Sequence, residues 1–170
     1  MIDQQQFLDG TVGTADLADI LGDTVRSCDL SMTDYGGHER FAGAAATVRC
    51  RDDNIVVTDA LKTPGHGRVL IVDGAGSTHS ALIGDIYGAL AAENGWAGII
   101  VNGAVRDRTP LSRIPIGVKA VGTNPRKSRK TGEGETDIPV AFGGVVFHPG
   151  DQVFSDEDGI VVVSAPSVDT

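Results

Sequence analysis

The sequence predicts an α/β fold: parallel strands with helices, then a β-rich C-terminal part, in one domain over residues 1–170. Three observations carry this. An apolar run bounded by glycines, "GRVLIVDG" (67–74), leads through a turn and a helix-patterned segment to a second apolar run, "AGIIVNG" (97–103). That order and length fit a right-handed βαβ crossover. Beyond it, short β-rich runs alternate with Gly, Pro and Asp. Finally, 170 residues with 41% hydrophobic and 22% charged content suit a globular domain able to bury its own core.

The elements follow in chain order. "TADLADILGD" (14–23) predicts a short helix capped by Thr14, with Leu17 and Ile20 on one face and Gly22 as the stop. "ATVRC" (46–50) predicts a strand, and "NIVVTDAL" (54–61) a strand or the start of a helix. "GRVLIVDG" is short, apolar and β-branched, the pattern of a buried strand. The glycine-rich turn "DGAGSTHSALIGD" (73–85) precedes "DIYGALAAENGW" (85–96), a helix with Ile86, Ala89 and Leu90 on one side and Gly95 as its stop. Asp85 falls at its first position, where the helix dipole favours a carboxylate. "AGIIVNG" is the second buried strand. "IGVKAVGTNP" (116–125) and "IPVAFGGVVFHPGDQVFSDEDGIVVV" (138–163) read as antiparallel hairpins, with "DEDG" (156–159) as a turn between strands.

Charge and composition exclude several functions. A net charge of -9 and a pI near 4.7 disfavour nonspecific binding to nucleic acid or to an anionic membrane. "NPRKSRK" (124–130) is a local exception and reads as a solvated turn, or else as a contact for an acidic partner or a neighbouring subunit. Cys28 and Cys50 lack zinc spacing and read as reduced thiols. With no apolar stretch long enough to span a membrane and no signal-peptide pattern at the N-terminus, the cytoplasm is the expected compartment. His38, His66, His79 and His148 have no paired spacing for zinc, although His79 falls near the crossover edge. "DGAGS" lacks the Gly-Lys-Ser/Thr of a phosphate loop, and no nucleotide-cofactor fingerprint supports a methyltransferase. Trp96, between a helix stop and a strand, reads as packing.

The chemistry concentrates in "NGAVRDRTP" (102–110). Twenty residues separate Asp85 from Arg106, and they comprise one helix and one strand. A crossover of this kind brings the helix start and the end of the second strand to the same sheet edge, where ligands of open α/β sheets bind. The free amides at the helix start can hold a small carboxylate. Arg106 can stabilise charge on a carbonyl or carboxylate oxygen. Asp107 is a hard oxygen ligand suited to Mg²⁺ or Mn²⁺, and Asp85 can orient or deprotonate a water or a substrate hydroxyl. From spacing alone, a helix cap at Asp85 and a structural pair at Arg106 and Asp107 stand equally well.

"GRVLIVDGAGSTHSALIGD", "NGWAGIIVNGAVRD", "IGVKAVGTNPRKSRKTGEGETDIPV" and "FGGVVFHPGDQVFSDEDGIVVV" together resemble the RraA-like family. This family joins the regulator of ribonuclease activity A to the class II 4-hydroxy-4-methyl-2-oxoglutarate aldolases. The resemblance implies a swivelling β/β/α-type fold and a homotrimer with sites near the subunit interfaces. It further implies that Gly84, Asp85, Ile86 and Tyr87 cradle a pyruvyl carboxylate, that Arg106 binds the substrate oxygen, and that Asp107 holds Mg²⁺ or Mn²⁺, partly through water. The implied reaction is metal-dependent aldol cleavage of 4-hydroxy-4-methyl-2-oxoglutarate, or a related 4-hydroxy-2-oxo acid, to pyruvate through a metal-stabilised pyruvate enolate. Oxaloacetate decarboxylation is the implied side activity. The regulator half of the family implies an alternative, a non-catalytic inhibitor of ribonuclease E. Two departures stand out: Pro110 occupies a position that is acidic in some aldolases, and the C-terminal extension of some members is not found before Thr170.

Overall fold

The computed structural model describes residues 2–166. Two short helices, α1 (Gln4–Leu8) and α2 (Thr14–Leu21), and a 3-10 turn (Gly22–Thr24) lead into β1 (Val25–Ser27), β2 (Thr33–Asp34) and the long β3 (Phe41–Arg49). Then follow α3 (Ile55–Leu61), β4 (Val69–Asp73), β5 (Ala81–Ile83), α4 (Asp85–Glu93), β6 (Gly98–Val105), α5 (Arg108–Leu111) and β7 (Gly117–Thr123). The chain continues through β8 (Glu135–Thr136), β9 (Val140–Phe142), β10 (Val145–Phe147), β11 (Gln152–Asp156) and β12 (Gly159–Val163).

Ten strands make one mixed sheet in the order β1-β12-β11-β3-β4-β6-β7-β2, with β5 beside β6 and β8 beside β3. The centre is parallel: β3 with β4, β4 with β6, and β6 with β7. All eight residues of β6 are buried, as a strand covered on both faces requires. The segment at 116–125 therefore departs from the expected hairpin. The loop and short α5 after β6 return the chain across the sheet, so β7 runs parallel to β6. The C-terminal hairpins β9–β10 and β11–β12 are antiparallel as expected.

Side-chain alternation along the central strands feeds two cores. Leu70 and Val72 face α3 and α4, where they meet Val57, Leu61, Ala91 and Trp96. Val69 and Ile71 face the other way, against Phe142, Val145 and Phe147 of the β9–β10 hairpin. Helix, sheet and hairpin thus form the layered α/β arrangement that the family resemblance implied. Each large side chain buried this way stabilises the fold by about 1.5–3 kcal/mol. A third cluster docks the N-terminal helices: Phe7 meets Phe154 edge-on, with ring centroids 5.1 Å apart, and Leu17 packs beside them.

Local chemistry corrects two helix details. Gly13, not Thr14, is the N-cap of α2, and Asp16 reaches back to the Gly13 amide at 2.8 Å. Thr14 instead donates its amide and its hydroxyl to Asp156, each at 2.7 Å. The "DEDG" turn is present between β11 and β12, but its first carboxylate is buried and anchors α2. On α4 the buried positions are Gly88 and Ala91, whereas Ile86 is 74% exposed. "NIVVTDAL" resolves as helix α3. Trp96 is buried as packing, its indole N–H donating to the Thr63 carbonyl at 3.1 Å. Both cysteines are free, and burial pushes the Cys50 thiol up to about 12, with Asp53, Asp73 and Asp52 adding to the shift. At neutral pH it is an inert thiol.

Asp151, buried between β10 and β11, accepts from Arg26 at 2.8 Å, the His148 amide at 3.0 Å and the Ala165 amide at 3.2 Å. Burial pushes its carboxyl up, but these donors outweigh that and hold it below the usual carboxylate value. A carboxyl depressed by folding stabilises the protein above its unfolded value of about 4, and that contribution disappears as pH falls through the lower folded value. We expect Asp151→Asn to be less stable than wild type at neutral pH, with the difference shrinking steadily below about pH 4. Urea unfolding across that range reads both, and a difference that does not change with pH would refute the assignment.

Candidate active site

The parallel strands end at one edge, and the residues singled out by sequence meet there. β4 and β5 pair with successive halves of β6 on the same side, β4 with its first five residues and β5 with its end. The chain turns from β5 through Gly84 directly into α4, so the helix starts at the strand ends. Gly84 is the N-cap and Asp85 the first helical residue. Arg106 follows β6 immediately, its amide bonded to the Ile83 carbonyl at 3.0 Å. Gly84, Asp85, Ile86, Tyr87, Arg106 and Asp107 all line one crevice of about 220 Å³. That volume suits a small organic acid rather than a nucleotide.

Arg106 and Asp107 do form an ion pair, Nε to Oδ2 at 3.5 Å, but the two side chains are 32% and 41% exposed. A pair that open to solvent contributes about 0–1 kcal/mol, so stability alone gives little reason for it. Asp107 also holds a left-handed backbone, φ 60° and ψ 46°, which costs a non-glycine residue about 1–2 kcal/mol. It is the N-cap of α5, yet its carboxylate makes no capping hydrogen bond. The strained backbone instead turns the carboxylate toward the crevice. Gly84 makes the room: a Cβ there would come 2.5 Å from Asp107 Oδ2 and 3.2 Å from Arg106 Cγ.

At the start of α4, the Asp85 carboxylate accepts from the Ile86 amide at 2.9 Å. The Ile86 N–H is thus already engaged, while the amides of Asp85 and Tyr87 precede the first helical hydrogen bond, from Gly88 to Gly84. For a metal, the donor set is lean. No cluster of three His, Cys, Asp or Glu able to hold an ion occurs among the described residues. One accessible carboxylate, with Asp85 nearby, does not suit zinc, which takes three or four protein ligands. It fits Mg²⁺ or Mn²⁺, which retain several waters and need only one or two carboxylates.

Two contributors to the crevice went unassigned in the sequence reading. The basic loop 124–130 is not simply a solvated turn, for Lys127, Ser128 and Lys130 line the crevice, and the Arg106 guanidinium donates to the Pro125 carbonyl of the same loop at 3.4 Å. The signal was its position just after β7, at the same sheet edge as the other site residues. Asn54, buried before α3, donates to the Leu82 carbonyl at 3.1 Å and accepts from Lys130 Nζ at 3.2 Å. No local motif marked Asn54. His79 does not reach the crevice; its ring nitrogen lies 3.3 Å from Arg126, outside the lining. A wider depression of about 750 Å³ lies among Asp34, His38, Glu39, Arg40 and Arg108, away from the start of α4 and the end of β6. The smaller crevice holds the convergent set.

The sequence matches the model of the RraA-like family, Aldolase/RraA, over residues 14–162. Among solved structures, the chain is 44% identical to an S-adenosylmethionine:2-dimethylmenaquinone methyltransferase from Geobacillus kaustophilus, with 91% of this chain and 96% of that chain covered and a TM-score of 0.87. It is 40% identical to the RNA-processing inhibitor RraA from Thermus thermophilis, with 92% and 94% covered and a TM-score of 0.88. A member of the RNase ES inhibitor RraA family from Streptomyces coelicolor is 27% identical, with 96% and 87% covered and a TM-score of 0.73.

The packing around Gly84 separates folding from site geometry. We expect Gly84→Ala to leave the thermal midpoint nearly unchanged, because the displaced atoms belong to half-exposed side chains. Mn²⁺ affinity, followed by titration calorimetry, should fall about 10- to 100-fold as the Asp107 carboxylate is pushed aside. Unchanged affinity in the folded variant would contradict this role for Gly84.

Proposed function

The chain belongs to the RraA-like family, Aldolase/RraA, and on that premise we propose that it is a divalent-metal-dependent lyase. It cleaves 4-hydroxy-4-methyl-2-oxoglutarate, or a related 4-hydroxy-2-oxo acid, to pyruvate, and decarboxylates oxaloacetate as a secondary activity. The observation that carries this reading is the convergence of the α4 start, Arg106 and Asp107 on one small crevice.

The residues divide the work. The helix-start amides take the carboxylate next to the 2-oxo group, helped by the positive end of the helix dipole. Arg106 directs its fork of donors at the 2-oxo oxygen, where negative charge develops. Asp107, with water, would hold Mg²⁺ or Mn²⁺, and that cation would supply Lewis acidity for the same charge. Lys127 and Lys130, which also line the crevice, suit the second carboxylate of such a substrate. Asp85 stands where it can take the proton of the C4 hydroxyl, directly or through a water. As that proton leaves, C4 becomes a carbonyl, the C3–C4 bond breaks and its electron pair forms the pyruvate enolate. Protonation at C3 then gives pyruvate. Decarboxylation of oxaloacetate reaches the same enolate with CO₂ as the leaving half.

Ile86, 74% exposed, lines the crevice. A cytoplasmic homotrimer with its sites near the interfaces belongs to the same reading. Among the described residues no helix is long and apolar enough to cross a membrane.

A second reading, a protein that binds and inhibits ribonuclease E, is favoured by the inhibitor names of two similar structures and by the net charge of -9, which can meet a basic RNA-binding region. It requires neither a metal nor Asp107. The two separate in one assay: pyruvate release from both substrates, with Mg²⁺ or with EDTA, for wild type and Asp107→Ala. Only the excess over enzyme-free oxaloacetate breakdown counts. We expect turnover that is abolished by EDTA and reduced about 100- to 1,000-fold in the variant, the scale of losing a transition-state charge stabiliser. Turnover surviving both changes would refute the lyase mechanism. No turnover at all would favour the inhibitor.

A further inference from the structure

The basic side chains of the crevice sit on a strap, Arg126 to Gly132, that has no regular secondary structure beyond isolated bridges. Its first half is tied to β5. Arg126 accepts from the Ala81 amide at 2.8 Å, and Ser128 donates to the Ala81 carbonyl at 2.7 Å. Its second half leaves the sheet. There Asp53, fully buried, points its carboxylate at the strap. Oδ2 accepts from the Thr131 amide at 2.7 Å and from the Thr131 hydroxyl at 2.6 Å, and Oδ1 accepts from the Gly132 amide at 3.2 Å. The Ile55 amide, at 3.2 Å, ties the same carboxylate to the start of α3.

Lys130 lies between these anchors. On its N-terminal side the Arg129 amide donates to the Asp52 carbonyl at 2.8 Å; on its C-terminal side stands the Asp53 clamp. Its ammonium reaches Asn54 Oδ1 at 3.2 Å and lies 6.0 Å from the centroid of the Tyr87 ring. Both partners line the crevice. Asp53 does not itself line the crevice; the strap that it clamps carries Lys130, which does.

We propose that Asp53 is a positioning residue: its buried carboxylate clamps Thr131 and Gly132 and thereby holds Lys130 over the crevice, where Lys130 selects acids with a second anionic group. This rests on the reading of the crevice as a 2-oxo-acid site. Burial pushes the Asp53 carboxyl up, but the donors from Thr131, Ile55 and Gly132 outweigh it and hold it below the usual value. The clamp is therefore charged at neutral pH, and charge-assisted hydrogen bonds are about twice as strong as neutral ones.

The test uses two variants of the full chain. Asp53→Asn keeps the shape and removes the charge; Thr131→Val alters only the strap side and guards against misfolding of the first. Two quantities are measured: amide hydrogen exchange across 127–134, and calorimetric affinity of the Mg²⁺-loaded protein for pyruvate and for 2-oxoglutarate, which adds a distant carboxylate. We expect exchange at 131 and 132 to quicken about tenfold or more in Asp53→Asn, and less in Thr131→Val. Affinity for 2-oxoglutarate should fall about five- to tenfold while that for pyruvate holds. Unchanged exchange in the folded variants overturns the clamp. Equal losses for both acids, or none for either, overturn the positioning role. A wild type that binds neither acid removes the 2-oxo-acid reading and this proposal together, an outcome distinct from variants that fail to discriminate.

Discussion

Everything at the candidate site depends on the pairing of β6. All eight of its residues are buried, and it is hydrogen-bonded along both edges, by β4 and then β5 on one side and by β7 on the other. A strand so enclosed cannot slip by one residue without turning its apolar side chains from one core to the other. Its register fixes where it ends, and Arg106 and Asp107 follow directly. The same register fixes β5, and one residue beyond β5 the chain enters α4 through Gly84. Two segments, the end of β6 and the β5–Gly84–α4 stretch, thus reach the crevice with their positions set by backbone pairing.

That arrangement explains how the site can carry groups that stabilise the fold little. The Arg106–Asp107 pair is half-exposed, and the Asp107 backbone is in the left-handed region. Neither feature is one that folding alone favours. Rigid strands beneath them hold both in place, which is the usual way for strain to persist at a functional site. The basic side is built differently. Lys127 and Lys130 sit on an irregular strap held by backbone bonds to Ala81 and Asp52 and by the side chains of Ser128 and Asp53. One face of the crevice is thus fixed by the sheet and the other by a few hydrogen bonds.

The central crossover was legible because its signals are local and strong. Apolar runs bounded by glycine and an acidic helix start predicted β4, α4 and β6, and their spacing placed Asp85 near Arg106 and Asp107. The C-terminal hairpins were legible for similar reasons. β7 was not, since a short β-branched run reads the same in a parallel or an antiparallel pair, and only the return through α5 decides. Grouping Ile86, Ala89 and Leu90 on one side of α4 did not show which side is buried, because that helix buries its small residues, Gly88 and Ala91, and gives a weak amphipathic signal. The roles of Asn54, Asp53 and the lysines were hidden for another reason. Their partners lie roughly 30 to 80 positions away in sequence, and no periodicity reports such contacts. Asp156 shows the same limit: its turn was evident, its bond to Thr14 was not.

The central claim is that the edge of β6 carries a divalent cation on Asp107 beside a 2-oxo acid. Crystals of the protein grown with Mn²⁺ and pyruvate test it most directly, through the anomalous scattering of manganese. The account predicts a peak bonded to the Asp107 carboxylate and completed mostly by water, with the pyruvate carboxylate at the start of α4 and its 2-oxo oxygen toward Arg106. Manganese bound elsewhere while this crevice stays free of both metal and acid would contradict it.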